Sequence, residues 1–256
     1  MIDIEKAKKE INEYIKNYNP NNKRIASKLK HTNNVTAAAE EIAVSLNLDE
    51  ENKKLAILIA LLHDIGRFEQ IKRYNTFNDG ASIDHANFGV QLLFEEGLIR
   101  KFIETDEFDI IINKAIFNHN KLNIQEGLTD IELLHAKIIR DADKIDIFRI
   151  LAEDEIDHIY DNFEKMPDEE ISSKVYNSII TDKRINYLDR KNDIDKLIAN
   201  LSFVYDLNFV KSYEIFKNRD YVNRFINRIA IRNTDTITKV KYIVEMLNEH
   251  IEKQLL

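Results

Sequence analysis

The residues best suited to chemistry in this sequence are four of its seven histidines and a few aspartates. His63 and Asp64 are adjacent and follow an unbroken run of apolar residues at 55–62. A carboxylate at the end of such a buried segment requires a partner cation, a metal ion or a proton. A neighbouring imidazole favours the metal, because both groups are good ligands for borderline divalent ions. The pair therefore predicts one part of a metal site.

Three further histidines stand in line with apolar helical stripes, so that their side chains point towards the core. They are His31, His85 and His119. A single histidine on an apolar face is more often a hydrogen-bonded core residue than a ligand. Four of them on successive predicted helices, together with buried acids, favour convergence on one site instead. The other histidines have no such surroundings and are predicted to be ordinary: His135, His158 and His250.

A second acidic cluster lies at residues 140–146, inside an otherwise apolar helical pattern. Asp143 is in phase with Ile139 and Ile147, whereas Asp141 is in phase with Ile138 and Ile145, so periodicity leaves the inward carboxylate open. The chain has no cysteine. Imidazole and carboxylate ligands without thiolates indicate a site for Mn, Fe, Co, Ni or Zn, and exclude a cysteine-based structural zinc site.

Helices must position these side chains, because the chain has only five glycines and two prolines and its apolar residues repeat at helical spacing. The pattern predicts helices at 2–18, 23–46, about 84 onward and 104–119, and Thr129 to Glu132 form a capping box that begins another. Gly66 is expected in a left-handed position that ends the helix carrying His63 and Asp64 in its last turn. The polar segment 67–83 is expected to be a functional loop. Further helical patterns follow at 175–180, 194–207, 221–231 and 237–251. The predicted fold class is all-α.

The order of these residues resembles the HD-domain superfamily of metal-dependent phosphohydrolases. The matching residues are His31, the His63–Asp64 pair and Asp143, over roughly residues 25–150. The resemblance implies a helical bundle in which these four residues bind a metal, and it selects Asp143 over Asp141. Segments 84–89 and 116–119 resemble the parts of binuclear members that carry two more ligands, here His85 and His119. We therefore expect an HD-type domain at 1–155. Residues 156–256 do not share the resemblance, and their helical patterns predict additional helices packed on the same core.

The expected activity is hydrolysis of a phosphate ester or anhydride of a small metabolite or nucleotide by metal-activated water, with one or two divalent ions of unknown identity (Mn, Fe, Co, Ni, Zn or Mg). Some mononuclear members have a glutamate just after the His-Asp pair; here the first acid is Glu69, which favours metal-bound water. Asp64 is expected to be the bridging ligand of a two-metal site. Arg67 and Lys144 are expected to hold substrate phosphate, and the alternative is that they form ordinary salt bridges facing solvent. Weaker candidates for the phosphate contact are Lys72, Arg73 and Lys121. The alternatives are a di-iron oxygenase of the same superfamily and a non-catalytic regulatory module.

Composition limits the partners of the protein. A net charge of −8 argues against broad binding to nucleic acid or to anionic membranes. The longest apolar run has eight residues, too few to span a bilayer, and residues 1–5 lack the layout of a signal peptide. The absence of cysteine suits a cytoplasmic protein. The resemblance implies that the partner is a small phosphorylated substrate, a class that includes nucleotides, and the sequence predicts no oligomeric state.

Overall fold

The computed structural model describes residues 2–154 and 163–256 and is all-α, as predicted. These two ranges contain thirteen α-helices, a few short 3-10 segments and no β-strand. The chain divides into two compact units, Met1–Asp146 and Ile147–Leu256. The predicted division at residue 155 into an HD-type domain and a helical extension stays a prediction.

Eight helices begin in the first unit. They are α1 (Ile4–Ile15), α2 (Lys23–Ser45), α3 (Glu50–Leu62), α4 (Ile65–Tyr74), α5 (His85–Val90), α6 (Ile99–Phe102), α7 (Asp109–Asn118) and α8 (Asp130–Glu153). Helix α5 continues as a π-helical segment over Gln91–Glu95. The predicted capping box at the start of α8 is present, because the Thr129 backbone N–H donates to Glu132 Oε2 at 2.8 Å and the Glu132 N–H donates to Thr129 Oγ1 at 3.4 Å.

Helix α3 is the centre of the first unit. All residues from Leu55 to Leu62 are buried, so this helix presents no solvent face over its last two turns. Helices α1, α2 and α7 pack against it, and α5 packs against both α4 and α7. The Arg140 guanidinium on α8 donates to the carbonyl oxygens of Asn118 and Lys121, which ties α8 to the end of α7. These contacts bring the ends of four helices to one place.

The predicted role of Gly66 as a helix stop is wrong. Helix α3 ends at Leu62, a new helix begins at Ile65, and Gly66 lies inside it without a left-handed backbone. A Cβ atom on Gly66 would lie 2.3 Å from the His85 carbonyl oxygen and 2.7 Å from the Gly89 backbone nitrogen. Glycine is therefore required here by the close approach of α4 to α5, and His63 and Asp64 occupy the junction between two helices.

The predicted loop at 67–83 is helical in its first half. Helix α4 extends to Tyr74 because Phe68 and Ile71 face the core while Lys72 and Arg73 face solvent. Asn75 then adopts the left-handed conformation that ends the helix. The true connection runs over residues 75–84 and contains one 3-10 turn, Asp79–Ala81. It is short enough to be held by the side chains of α4.

The second unit contains five helices and its own aromatic core. They are α9 (Ser173–Thr181), α10 (Asp193–Leu201), α11 (Val210–Arg219), α12 (Tyr221–Ile226) and α13 (Thr234–Gln254). Phe148 packs edge-on against Phe216 and Phe225 with ring centroids 4.6 and 6.3 Å apart. His250 Nε2 lies 3.3 Å from the Tyr213 hydroxyl, whereas His158 is outside the described residues. Among the described residues, no helix combines the length and apolar character that a membrane crossing requires.

Candidate metal centre

Five different helices or helix ends deliver the predicted ligands to one buried cluster. His31 lies within α2, His85 is the first residue of α5, and His119 directly follows α7. All three are at most 5% exposed, and His63 and Asp64 are 0% and 3% exposed. The four imidazole rings form a continuous row in which neighbouring centroids are 4.9–5.4 Å apart. The structure thus brings together the histidines that the sequence selected.

Asp64 lies between two pairs of histidines, and each of its carboxylate oxygens faces one pair. Oδ2 is 3.5 Å from His31 Nε2 and 3.6 Å from His63 Nε2. Oδ1 is 3.4 Å from His85 Nε2 and 3.8 Å from His119 Nε2. Each oxygen and its pair lie close enough together to hold one metal ion. One carboxylate could therefore contribute a ligand atom to each of two adjacent ions.

Asp143 joins the first of these groups from α8. Its Oδ1 is 3.1 Å from His31 Nε2 and 3.9 Å from His63 Nε2. Asp141 is fully buried, whereas the Asp143 side chain is 15% exposed. The distances from Asp143 to the two imidazoles favour it as the distal carboxylate of the site, in agreement with the resemblance.

Every histidine of the cluster is anchored at its Nδ1 atom. His63 Nδ1 lies 2.7 Å from the Ala60 carbonyl oxygen, and His119 Nδ1 lies 2.6 Å from the Ile116 carbonyl oxygen. His31 Nδ1 lies 2.6 Å from Asp146 Oδ2, and His85 Nδ1 lies 2.5 Å from Asp79 Oδ2. Carbonyl and carboxylate oxygens accept hydrogen bonds, so each Nδ1 carries the proton. In the neutral rings, every Nε2 is then left as a lone pair directed at Asp64.

These lone pairs require a cation. His85 Nε2 and His119 Nε2 are only 3.0 Å apart, and two unprotonated nitrogens repel each other at that distance. The Nε2 atoms of His31 and His63 are buried and make no hydrogen bond of acceptable geometry with any described residue, even though Asp143 lies close to the first. Buried polar atoms without partners are costly, and one metal ion at each pair of histidines would give both of its Nε2 atoms a partner. The donor set fits one or two divalent ions.

The pKa values show which rings are ready to bind a metal. Burial lowers the pKa of His63 to about 4, and burial together with the nearby Arg67 lowers that of His85 to about 4. Both imidazoles are therefore neutral at pH 7. Burial and the Lys28 ammonium lower the pKa of His31, but the Asp143 and Asp146 carboxylates outweigh them and raise it. His31 is therefore protonated in a larger fraction of molecules than His63 or His85, and a metal that binds it must displace that proton.

Asp64 remains ionised although it is fully buried. Burial raises its pKa, but the Lys28 ammonium and the surrounding imidazoles outweigh this effect and hold the pKa well below its usual value. Burial likewise raises the pKa of Asp143, which the adjacent His31 and His63 more than offset, so that it is also lowered. Both acids are available as charged ligands at neutral pH.

A hydrogen-bonded chain ties the connection at 75–84 to His85. Arg67 Nη1 donates to Asp79 Oδ1 at 2.6 Å and to the Phe77 carbonyl at 2.7 Å. Gln70, which is fully buried, donates to the same Asp79 oxygen at 3.0 Å. The other Asp79 oxygen holds His85. Burial raises the pKa of Asp79, but His85 and Arg67 outweigh it and lower the value. Arg67 therefore supports the ligand shell, and its buried Nε lies 3.7 Å from Asp64 Oδ1.

The remaining predicted phosphate contacts lie in different settings. Lys144 is buried on α8 beside Asp143 and donates to the Arg140 carbonyl at 3.4 Å. Lys121 Nζ is paired with Asp84 at 2.6 Å. Arg73 Nε and Lys72 Nζ both face Glu69, at 2.8 and 3.6 Å, on the exposed side of α4. Of these side chains, Lys144 is the one that stands next to a proposed ligand along the chain.

The sequence reasoning missed four residues that complete the cluster: Lys28, Gln70, Asp79 and Asp146. Lys28 is three residues before His31, and Asp146 is three residues after Asp143, so each shares a helix face with a predicted ligand. That spacing was the available signal. Asp79 and Gln70 had no such signal, because Asp79 lies in an irregular connection and Gln70 is a polar residue in a segment that was predicted to be a loop.

Comparison with known proteins agrees with this geometry. Residues 29–147 match the family model of the HD domain, close to the range of 25–150 that the resemblance covered. No curated protein and no solved structure matches the chain significantly. The matched segment contains every residue of the cluster apart from Lys28. Residues 29–147, the part of the chain that carries the histidine cluster, are therefore an HD domain.

Proposed function

We propose that the protein is a metal-dependent phosphohydrolase that cleaves a phosphate ester or anhydride of a small metabolite or nucleotide. The proposal rests on one observation above all: the Asp64 carboxylate lies between two pairs of inward-facing imidazoles, one pair at each oxygen. The HD superfamily consists mostly of metal-dependent phosphohydrolases, which supports the same reading.

The proposed ligands form two ion positions. Asp64 would be shared between two ion positions, with His31, His63 and Asp143 completing one and His85 and His119 the other. When bound, divalent ions neutralise phosphate charge and lower the pKa of a water from about 15.7 to about 7. Burial keeps His63 and His85 neutral, and their Nδ1 anchors hold each Nε2 in place before the ligand arrives.

Arg67 and Lys144 are our candidates for holding substrate oxygens. Arg67 Nη1 is engaged by the connection at 75–84, while its Nε is buried without a described hydrogen-bond partner and faces Asp64. A guanidinium in that orientation can offer its remaining N–H groups to a phosphate near Asp64. Lys144 would act as a point charge from α8 beside Asp143.

The decisive experiment starts from metal-stripped protein. Mn²⁺, Co²⁺, Ni²⁺ or Mg²⁺ is added singly, and phosphate release is measured from panels of nucleotides, sugar phosphates and other phosphorylated metabolites. We expect release that requires metal and that the Asp64→Ala variant lacks. Absence of release with every metal across the panel would reject the proposal.

The Asp64→Ala variant is our first specific prediction. Loss of the shared carboxylate removes a ligand from both groups, so we expect bound metal to fall to near zero by elemental analysis. Helical circular dichroism should change little, because Asp64 lies between α3 and α4 and makes no side-chain capping bond. A variant that keeps full metal content would show that Asp64 is not a ligand.

A di-iron oxygenase is the second candidate, because four histidines and two aspartates, one of which lies between the two histidine pairs, also suit two irons. Iron content and oxygen consumption by the aerobically purified protein distinguish the two activities. A purely regulatory module is disfavoured, because each of the six ligands implied by the resemblance is present in the cluster.

A further inference from the structure

Lys28 is a charged residue of the cluster that is not one of the six proposed metal ligands. It lies on α2 three residues before His31, which places both side chains on the same face of the helix. Its Nζ is 2.6 Å from Asp64 Oδ2, the oxygen that also faces His31 and His63. An ammonium group therefore stands at the oxygen that the first metal ion would need.

Two cations cannot both occupy this oxygen without repulsion. The repulsion between two cations a few ångströms apart is strong where the effective dielectric constant is low. Asp64 is only 3% exposed, so solvent screens the pair poorly. In the metal-free protein Lys28 supplies the partner that a buried carboxylate requires. In the loaded protein the same ammonium would face a divalent ion and would be driven off.

The surroundings of Lys28 show where its head group could go. Its side chain is 18% exposed, whereas the side chains of His31 and Asp64 are each 3% exposed. Lys28 thus reaches the buried carboxylate from the solvent side, on a flexible four-carbon stem. Its Nζ also lies 5.4 Å from the centroid of the Phe77 ring in the connection at 75–84, and the Arg67 guanidinium lies 5.8 Å from the same ring.

We propose that Lys28 is an exchangeable cation: it neutralises Asp64 in the metal-free protein, is displaced when metal binds, and then holds a phosphate oxygen of the substrate. The first two steps concern metal binding alone, and the third rests on the proposed function. A displaced ammonium held beside Phe77 and Arg67 would add positive charge at the solvent side of the cluster, where an anionic substrate must enter.

The first measurement is the affinity of metal-stripped protein for Mn²⁺. Binding is monitored through the electron paramagnetic resonance signal of the free ion. Lys28→Met removes the competing charge, so the tightest site should bind Mn²⁺ at least about tenfold more strongly than in the wild type. Lys28→Arg keeps the charge and should stay within a few-fold of wild type. Lys23→Met, an exposed lysine on the same helix, controls for the loss of net charge.

Thermal unfolding provides a second readout if Lys28→Met folds poorly. Without metal, the variant leaves Asp64 without its ammonium partner, so its midpoint should drop below that of wild type. Mn²⁺ should restore it, giving a larger metal-induced rise than in wild type or in Lys23→Met. Weaker or unchanged Mn²⁺ binding by Lys28→Met, or a metal-induced rise no larger than in wild type, would overturn the exchange.

The phosphate step is tested with inorganic phosphate and Mn²⁺-loaded protein by isothermal titration calorimetry. Lys28→Met should weaken phosphate binding by about tenfold, and Lys28→Arg should recover most of the loss. Equal phosphate affinity in Lys28→Met and wild type would reject this step. Failure of the proposed function has a different signature: no metal-loaded protein would release phosphate from any compound of the panel, and the phosphate step would fail with it. The effect of Lys28→Met on Mn²⁺ binding would persist.

Discussion

At the level of single residues, the cluster is organised by what each histidine does at its Nδ1 atom. Two rings are held by backbone carbonyls within their own helix turn, His63 by Ala60 and His119 by Ile116. The other two are held by carboxylates from distant parts of the chain, Asp146 and Asp79. Such partners fix both the tautomer and the ring plane of a ligand. The four Nε2 atoms are therefore positioned independently of any bound ion.

His119→Ala tests whether there are two ion positions. The substitution removes one lone pair from the group at Asp64 Oδ1 and leaves His31, His63 and Asp143 intact. We expect saturation with Mn²⁺ to fall from about two equivalents per chain to about one, with the tighter equivalent retained. Equilibrium dialysis with elemental analysis measures both values.

The competing explanation is that His85 and His119 bind substrate phosphate around a single metal. In that case the wild type would never take up more than one equivalent, and His119→Ala would raise the Michaelis constant. The 3.0 Å separation of their Nε2 atoms favours the two-metal explanation, because two lone pairs so close can share one cation, whereas binding an anion would require a proton on both Nε2 atoms.

The sequence was sufficient to select the inward histidines but not their supports. Helical periodicity places His31 on the face of α2 that is buried, and it does the same for His85 on α5. It could not choose between Asp141 and Asp143, since each is in phase with apolar residues of the same helix; in the structure Asp141 is fully buried, whereas the Asp143 side chain is 15% exposed. Contacts such as that between His31 and Asp146, 115 residues apart, depend on how helices pack, which a single sequence pattern does not contain.

At the level of helices, the junction of α3 with α4 positions two of the proposed metal ligands, His63 and Asp64. Gly66 was predicted to end a helix because glycine commonly does so. Its actual role follows from α5, whose backbone at His85 and Gly89 leaves no room for a side chain. The close approach of α4 and α5 is what brings Asp64 within reach of His85. The role of Gly66 thus depends on a contact with a helix that lies later in the chain, which the local sequence does not contain.

Gly66→Ala should therefore loosen this junction. Alanine gains about 1 kcal/mol in helix propensity over glycine, but overpacking against backbone atoms costs roughly 1–3 kcal/mol. We expect a net loss of stability in urea unfolding and weaker binding of the Mn²⁺ ion that uses His85. Gly80→Ala is the matched control, because the nearest atom to its Cβ would be the Asn78 side-chain oxygen at 3.4 Å, and it should change stability by less than about 0.5 kcal/mol.

If Gly80→Ala were less stable than Gly66→Ala, the close approach of α4 and α5 would not be what stabilises the junction. If Gly66→Ala were as stable as wild type and bound Mn²⁺ equally well, α4 and α5 could separate without moving His85. The metal ligands would then not depend on the spacing of these helices.

At the level of the whole molecule, stability depends on pH through buried histidines outside the cluster as well as within it. His135 on α8 is 1% exposed; its Nε2 lies 3.1 Å from Asn52 Oδ1, and its Nδ1 is buried with no described hydrogen-bond partner. Burial lowers the pKa of His135 to about 4. In the unfolded chain the same group titrates near 6.5, so between these values the unfolded state binds more protons.

Acidification should therefore destabilise the protein partly through His135. This stabilising contribution is complete above pH 6.5 and is lost as the pH falls towards 4. The free energy of unfolding, measured in urea, should fall between pH 7 and pH 5 in both proteins. The fall should be smaller in His135→Gln, which cannot titrate, by on the order of 1–2 kcal/mol. Equal losses in both proteins would show that His135 remains protonatable in the folded state. Metal-free protein is used, so that ligand release does not contribute.

The sharing of Asp64 between two groups has a consequence for how metal would be taken up. An ion bound at one carboxylate oxygen withdraws negative charge from the other, so the second ion would meet a poorer ligand than the first. The two binding events would then be negatively coupled, and thermodynamic linkage requires each site to weaken the other by the same factor. Over a range of metal concentrations the protein would hold a single ion. The occupancy of the second position would then rise only at higher concentrations of free metal.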